Sequence, residues 1–419
     1  MKGDFSRLTF DRTKHYRNVL HQQGRVQLDA DLNEASAIHA DYLRQIAYDV
    51  IGPCGGPREA TGFEITATEP GQEILIGPGR YYVAGLLAEN ETPCAFAAQP
   101  DLPRGEKTWF AESHPAGAYL AYLDVWERTL GAVDDPSLRD PALGRRDTSL
   151  RLRTVWQVRI RAGAKERLRD APGIGRGAMA ASTGPSGYTG PENRLYRVEV
   201  HRGGPLGEAT FKWSRDNASS RAAINELTAT LVSVAGSSLL TDEAFAPGQW
   251  VELNDDDREL AGLAGELFEV IAHDRTKGQL ELAARPAPLP GVTELFSDAR
   301  HPTLRGWHVG TADHGGVATG VGPIPLENGI HVTFADGDYR TGDYWQIPAR
   351  TDPASVEWPG GPEPDPLPPR TIEHHRCPLA ELRYDRRHGW RVRADLRSQF
   401  GPLSAQGSGT MSAYTTRSR

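Results

Sequence analysis

Sulfur is scarce in this chain, with three methionines and three cysteines among 419 residues. Cys54, Cys94 and Cys377 stand far apart and are odd in number, which fits neither a disulfide framework nor a CxxC zinc site. They are expected as buried thiols in a reducing cytosol. No stretch approaches the roughly 20 apolar residues that cross a bilayer, and the opening MKGDFSRLTF has no apolar signal core. No membrane span is expected, and the cytoplasm is the expected place unless a larger assembly carries the protein out.

An excess of positive charge is also missing. The chain has 47 Lys and Arg against 55 Asp and Glu, a formal net charge of -8. A general nucleic-acid binder needs a basic stripe to displace counterions from phosphates, so nucleic acid is not an expected partner. There is no GxxxxGK[ST], GxSxG or HExxH, which removes sequence support for the common nucleotide, esterase and zincin mechanisms.

What the chain does have is 45 Gly, 31 Pro and repeated short runs rich in Val, Trp and Tyr. This composition describes short strands cut by turns, and predicts a mainly β protein with several small antiparallel units. One long helix is expected over residues 29–52, where Leu32, Ala35, Ile38, Tyr42, Leu43, Ile46, Ala47 and Val50 recur mostly at steps of three and four. That spacing predicts a single buried face. Asp31 followed three residues later by Glu34 suits a capping box, and Gly52-Pro53 stops the helix.

The expected organisation is an N-terminal arm and helix over 1–53, a β domain over 54–162 and a mobile loop or linker over 163–191, which is too poor in apolar residues to build a core. Residues 192–227 are expected to continue the β domain. A small barrel-like insertion follows over 228–290, its strand spacing suiting an SH3-like barrel or another small barrel. A C-terminal β region over 291–398 and a disordered tail over 399–419 complete the reading.

Several constellations carry possible chemistry. Asp29-Ala-Asp31-Leu-Asn33-Glu34 imitates the opening of a calcium loop, but its sixth and twelfth positions are Glu34 and Ala40 where such a loop needs Gly and Glu; a helix cap is the better reading. Asn254-Asp255-Asp256-Asp257 reads as a solvated turn. His301, His308 and His314 could supply three imidazoles to a hydrolytic metal, though their spacing matches no metal template, and His374-His375 would point to opposite faces of a strand. Trp126, Trp156, Trp213, Trp250, Trp307 and Trp345 could stack on sugar rings if exposed, making a glycan-binding module, but they sit among apolar residues as core side chains do. No catalytic residue, metal or cofactor is assigned.

The segment from Met1 to Pro57, with its MKGDFSRLTFDRTKHYRNVLHQQGRVQLDADLNEA opening, closely resembles the N-terminus of a bacterial family of unknown function encoded beside contractile injection systems and phage-tail-like particles. Tyr122-Leu-Asp-Val-Trp-Glu127, Asn193-Arg-Leu-Tyr-Arg-Val-Glu-Val200, Phe211-Lys-Trp-Ser-Arg-Asp-Asn217 and Tyr339-Arg-Thr-Gly-Asp-Tyr-Trp345 resemble that family in the same order, so the likeness covers about residues 1–398. It brings no catalytic residues. A looser likeness, in Val19 to Asn33 followed by Ile76-Gly-Pro-Gly-Arg-Tyr-Tyr-Val-Ala-Gly85, is to baseplate and tail-fibre attachment proteins, which often trimerise. These resemblances imply a non-enzymatic structural component of such a particle, kept in the bacterial cytoplasm until incorporated. Its implied partners are copies of itself, with a trimer as one arrangement, and other baseplate or fibre subunits. Leu32, Ile38, Tyr42, Leu43, Ile46 and Val50 are the expected contact residues, because one short β-meander does not offer enough surface to cover the helix.

Overall fold

Alternation of side chains explains the longest strand, Gly117–Leu130: Tyr119, Ala121, Leu123 and Val125 all enter one apolar core, and the intervening residues take the other face. The computed structural model describes residues 3–402 except 70, 72, 108, 110–113, 145, 164–176, 229, 235–244, 285–290, 298, 309–314 and 362. The fold is mainly β, with an N-terminal helix followed by several small antiparallel sheets, one of them a small closed barrel. The chain divides into two units. One comprises Met1–Ile38, Glu127–Arg153 and Pro172–Glu373; the other comprises His39–Trp126, Thr154–Ala171 and His374–Arg419.

The second of these units is built on a four-stranded sheet in the order Arg151–Ala162, Gly117–Leu130, His375–Asp385 and Gly389–Asp395. Short strands from the 54–95 region pack against it, and Phe63, Ile74, Ile76, Tyr81, Trp156 and Trp390 fill the core. A buried Gln99 closes one gap by bonding Val158 in both directions, donating to its carbonyl and accepting from its N–H. Two expectations change here. Residues 374–398 return to this unit rather than forming one C-terminal region with residues 291–373. Gln399–Phe400, expected in the disordered tail, form a strand parallel to Cys54–Pro57; the rest of the tail, from 403 onward, lies outside the described residues.

The expectation of three free thiols is also overturned. Cys54 and Cys377 form a disulfide across 323 residues, with their Cα atoms 6.3 Å apart, and Cys94 is the free cysteine. Sequence spacing hides such a pair, because only the packing of the Cys54–Pro57 strand near His375–Asp385 brings the two β-carbons into range.

The other unit combines two sheets and the barrel. Val317–Ala318, Thr210–Ser214, Arg194–Arg202, Tyr344–Arg350 and Ser355–Val356 form a five-stranded sheet, and Met179–Thr183, Ile330–Phe334 and Ile324–Pro325 form a three-stranded one. Their shared core includes Met179, Tyr196, Phe211, Val332, Phe334 and Trp345. Met179–Thr183 falls inside the stretch expected to be a linker, yet it is a core strand. It pairs antiparallel with Ile330–Phe334, and Met179, Ala180 and Ala181 are buried there, a role that apolar counting misses. The 164–176 portion of that stretch lies outside the described residues. Residues 192–227 belong to this unit and do not continue the 54–162 domain.

The barrel closes through Arg221–Leu227, Leu231–Val234, Gln279–Leu282, Glu266–Asp274, Trp250–Asn254 and Thr303–Trp307. It is wider than the expected 228–290 insertion, because closure recruits the strands on either side: Trp250 pairs in register with Trp307, and Ala222 with Leu304. A buried ionic chain joins barrel to sheet. Lys212 on the sheet reaches Glu199 at 3.3 Å and the barrel's Glu252 at 2.5 Å. Arg197 pairs with Glu199, and Trp307 donates its indole N–H to Glu252.

His201 lies beside this chain, and burial, reinforced by the Lys212 charge, pushes its pKa down to about 3. The unfolded chain binds a proton on this histidine below about pH 6.5, so stability falls as pH drops from that value towards 3, by about 1.4 kcal/mol per pH unit. The unfolding midpoint of this unit, followed by calorimetry between pH 6.5 and 4.5, should fall with acidification, and His201→Gln should make that slope shallower. For the disulfide, reductant or Cys54→Ser should destabilise the other unit by about 2–5 kcal/mol. Titration of the denatured, unreduced protein should find a single thiol.

Candidate assembly face

The N-terminal arm begins with a single 3-10 turn at Arg12–Lys14, whose Asp11 cap accepts hydrogen bonds from Thr13. From there to residue 28 the chain has no helix or strand and is almost wholly exposed, including Leu20 at 82% and Val26 at 83%. The helix that follows, α1 (Asp29–Ile51), is about 35 Å long at 1.5 Å per residue. It starts two residues before the expected Asp31–Glu34 box. Asp29 accepts from the Ser6 backbone N–H and hydroxyl at 3.0 and 2.6 Å, and Glu34 accepts from the Thr9 hydroxyl instead of folding back on the helix. Burial works against the Asp29 charge, but the Ser6 hydrogen bonds outweigh it and hold the carboxyl below its usual range. Gly52, in the left-handed region at φ 94°, ends the helix as expected.

The division between the two units falls inside α1, at Ile38/His39. In its second half a polar side chain does the seating. The Arg44 guanidinium donates to the Ala84 carbonyl at 3.0 Å and meets the His375 ring nitrogen at 2.7 Å. Gly85, with φ 79°, lets the helix come close: a β-carbon there would lie 2.3 Å from the Arg44 carbonyl oxygen.

The apolar stripe is only partly covered. Of the six expected contact residues, Ile38 is buried at 5%, whereas Leu32, Tyr42, Leu43, Ile46 and Val50 are exposed, Leu43 at 66% and Val50 at 59%. Five of the six are thus left uncovered by the chain's own fold, and the single buried face that the spacing also predicts is reduced to Ala30 and Ile38, because Asp29, Glu34 and Arg44 hold the helix by polar contacts. Leu32, Ser36, His39, Leu43, Ile46 and Val50 are all exposed at alternating steps of four and three, the spacing of a coiled-coil seam. Leu43, Ile46 and Val50 make an exposed apolar patch in the last turns of the helix, and the polar Ser36 and His39 separate it from Leu32; an exposed apolar patch is a usual mark of an interaction face.

The other nominated groups do not converge. His301 is exposed and bonded to Asp256 at 2.6 Å, while His308 is half-buried and stacks on the Trp213 ring, its pKa pushed down to about 4 by desolvation and then by Arg215. His314 lies outside the described residues. His374 bonds to Asp124 and stacks on Trp126. Among the described residues no group of three or more His, Cys, Asp or Glu side chains could hold a metal ion, and no helix is long and apolar enough to cross a membrane. Asp255, in the turn read as solvated, caps a short helix by accepting the Arg258 N–H. All six nominated tryptophans are buried, so none of them offers a ring to a sugar.

Residues 1–183 and 178–380 match a family of unknown function, DUF6519. The chain belongs to that family. No curated protein and no solved structure matches it. In this member of DUF6519 the exposed side chains of α1 include Leu32, Tyr42, Leu43, Ile46 and Val50. If Arg44 seats the helix, Arg44→Ala should raise amide exchange across residues 39–51 several-fold and leave exchange in the strands of the His39–Trp126 region unchanged. Gly85→Val should do the same and more, since it pushes the helix backbone directly.

Proposed function

We propose that this protein is a structural component of a contractile injection system or phage-tail-like particle, placed in the baseplate, fibre-attachment or another peripheral region, and that it assembles through α1 and the arm before it. The observation that carries this reading is the exposed row Leu32, Leu43, Ile46 and Val50 on a helix anchored by its polar side. Leaving these side chains in water forgoes up to about 1.5–3 kcal/mol each relative to full burial, a cost that a partner surface would remove.

The occupant that matches a seam with four-three spacing is a second copy of the same seam, since equivalent residues then meet at the same level around a rotation axis. Small residues beside the row, Ala35, Ala40 and Ala47, would let helices approach closely. The resemblance of residues 1–398 to a family encoded beside such particles supports the context, and the burial of the six tryptophans nominated for sugar stacking gives the glycan-binding reading no support.

The test separates folding from assembly. Leu43→Asp combined with Ile46→Asp should leave the unfolding midpoint within about 1 °C of the parent, because surface substitutions usually change stability by less than about 0.5 kcal/mol, yet should reduce self-association and exclude the protein from particles purified from the producing cell. Deletion of residues 3–52 should have the same effect on particles. Normal particles that retain either variant would remove the basis for the proposal.

A further inference from the structure

Charge is unevenly distributed along this acidic chain. Between His375 and Arg397 seven arginines face three acidic residues, whereas residues 221–307, which hold the barrel, carry seven Lys and Arg against fourteen Asp and Glu. The first stretch is the hairpin of His375–Asp385 and Gly389–Asp395 at the edge of the four-stranded sheet. Its turn is firmly built, with Asp385 accepting from the Arg387 and His388 backbone N–H groups and bonding the His388 ring.

Alternation sorts its side chains. Leu382, Tyr384, Trp390 and Val392 go to the core, so Arg383, Arg391 and Arg393 lie on the outer face, with Arg386 and Arg387 at the tip, and all five are exposed. Arg383 sits directly opposite Arg391, and its neighbour on the other side is Ala118. Like charges in facing positions destabilise a strand pair, and among the described residues none of these five guanidinium groups pairs with a carboxylate. Glu381 is the exposed acid on the outer face of the same strand.

The barrel presents the complement. Glu226 and Glu281 are exposed and Glu269 is half-buried on three of its strands, and none of the three pairs with a cation among the described residues. Guanidinium forks take carboxylates in bidentate fashion, and a rigid hairpin holds several of them ready at little entropic cost. We infer that the arginine hairpin of one copy docks on the acidic barrel wall of a second copy. Because the two surfaces differ, the contact is head-to-tail, and repeating it generates a ring or an open array. It uses neither α1 nor the arm, and so stands apart from the assembly reading above.

Charge reversal tests it in the full-length protein carrying Leu43→Asp and Ile46→Asp, so that contacts through α1 are absent. One variant takes Arg383→Glu with Arg391→Glu, the other Glu226→Arg with Glu281→Arg. Sedimentation should show self-association of the parent at about 50 mM salt that weakens at least about tenfold by 500 mM, as a screened ionic contact does. Each variant alone should lose association, and an equimolar mixture of the two should recover it, because each then meets a surface of opposite sign. Far-UV circular dichroism identical to the parent excludes misfolding, and the recovery in the mixture is itself a readout that misfolded protein cannot give. Association that survives both reversals, or a mixture that fails to recover, overturns the proposal. So does a parent that stays monomeric at low salt yet binds phosphatidylglycerol vesicles through the same arginines, which would make the hairpin a lipid-binding surface.

Discussion

In the larger unit, a buried ionic chain ties the barrel to its sheet, beside an apolar contact of Trp250, Leu267 and Trp307 with Val317. Lys212 stands between Glu199 and Glu252 with all three side chains almost completely out of water, and Glu252 also accepts from the Trp307 indole and the Gly265 backbone. A buried pair of this kind is not a large source of net stability, because desolvation consumes much of the Coulombic gain. Its effect is on geometry. Any arrangement of barrel and sheet that separates Lys212 from Glu252 leaves a naked charge in the interior, at a cost of about 3–5 kcal/mol, so one docking of the barrel is selected over its neighbours. A second cluster repeats the device: Arg128 meets Asp256 and Glu259, and Arg221 meets Asp134, which brings the 127–153 segment to the barrel.

The same logic explains why α1 turns its apolar side outward. A helix with one apolar stripe normally buries it. Here the neighbouring structure offers a carbonyl at Ala84 and the ring of His375, partners for a guanidinium and not for leucine. With Arg44 satisfied there and Gly85 permitting close approach, the rotation of the helix is set and the row of Leu43, Ile46 and Val50 is carried to the solvent side. In this half of the helix the attachment is polar and local, and the exposed surface is an apolar patch.

Legibility from sequence varied with the range of the interaction responsible. The helix, its stop at Gly52-Pro53, the β character and a barrel near residue 250 rest on local periodicity and turn residues, and all are present. The extent of the barrel was not legible, since Arg221–Leu227 and Thr303–Trp307 join it only because closure requires them. Met179–Thr183 reads as linker because alanine and serine carry little apolar signal, and its place in the core comes from pairing with the distant Ile330–Phe334 strand. The Cys54–Cys377 pair was invisible for a similar reason: 323 residues separate the two cysteines, and nothing local to either one names the other. Among the candidate contact residues, Leu32, Tyr42, Leu43, Ile46 and Val50 form the exposed face, and Ile38 is the one the fold keeps for itself.

By itself the sequence determined what depends on neighbours a few positions away: where many of the strands lie, where the one long helix runs, and that its apolar residues recur at steps of three and four. Tertiary structure alone decided which side of each element meets the interior. That choice turns on whether a carbonyl, a ring or an alkyl group waits at the facing position, and chain separation carries no information about it. The stripe on α1 is the clearest case, for the same periodicity describes a helix that buries its leucines and one that leaves them exposed, and the placement of Ala84, Gly85 and His375 around Arg44 goes with the second.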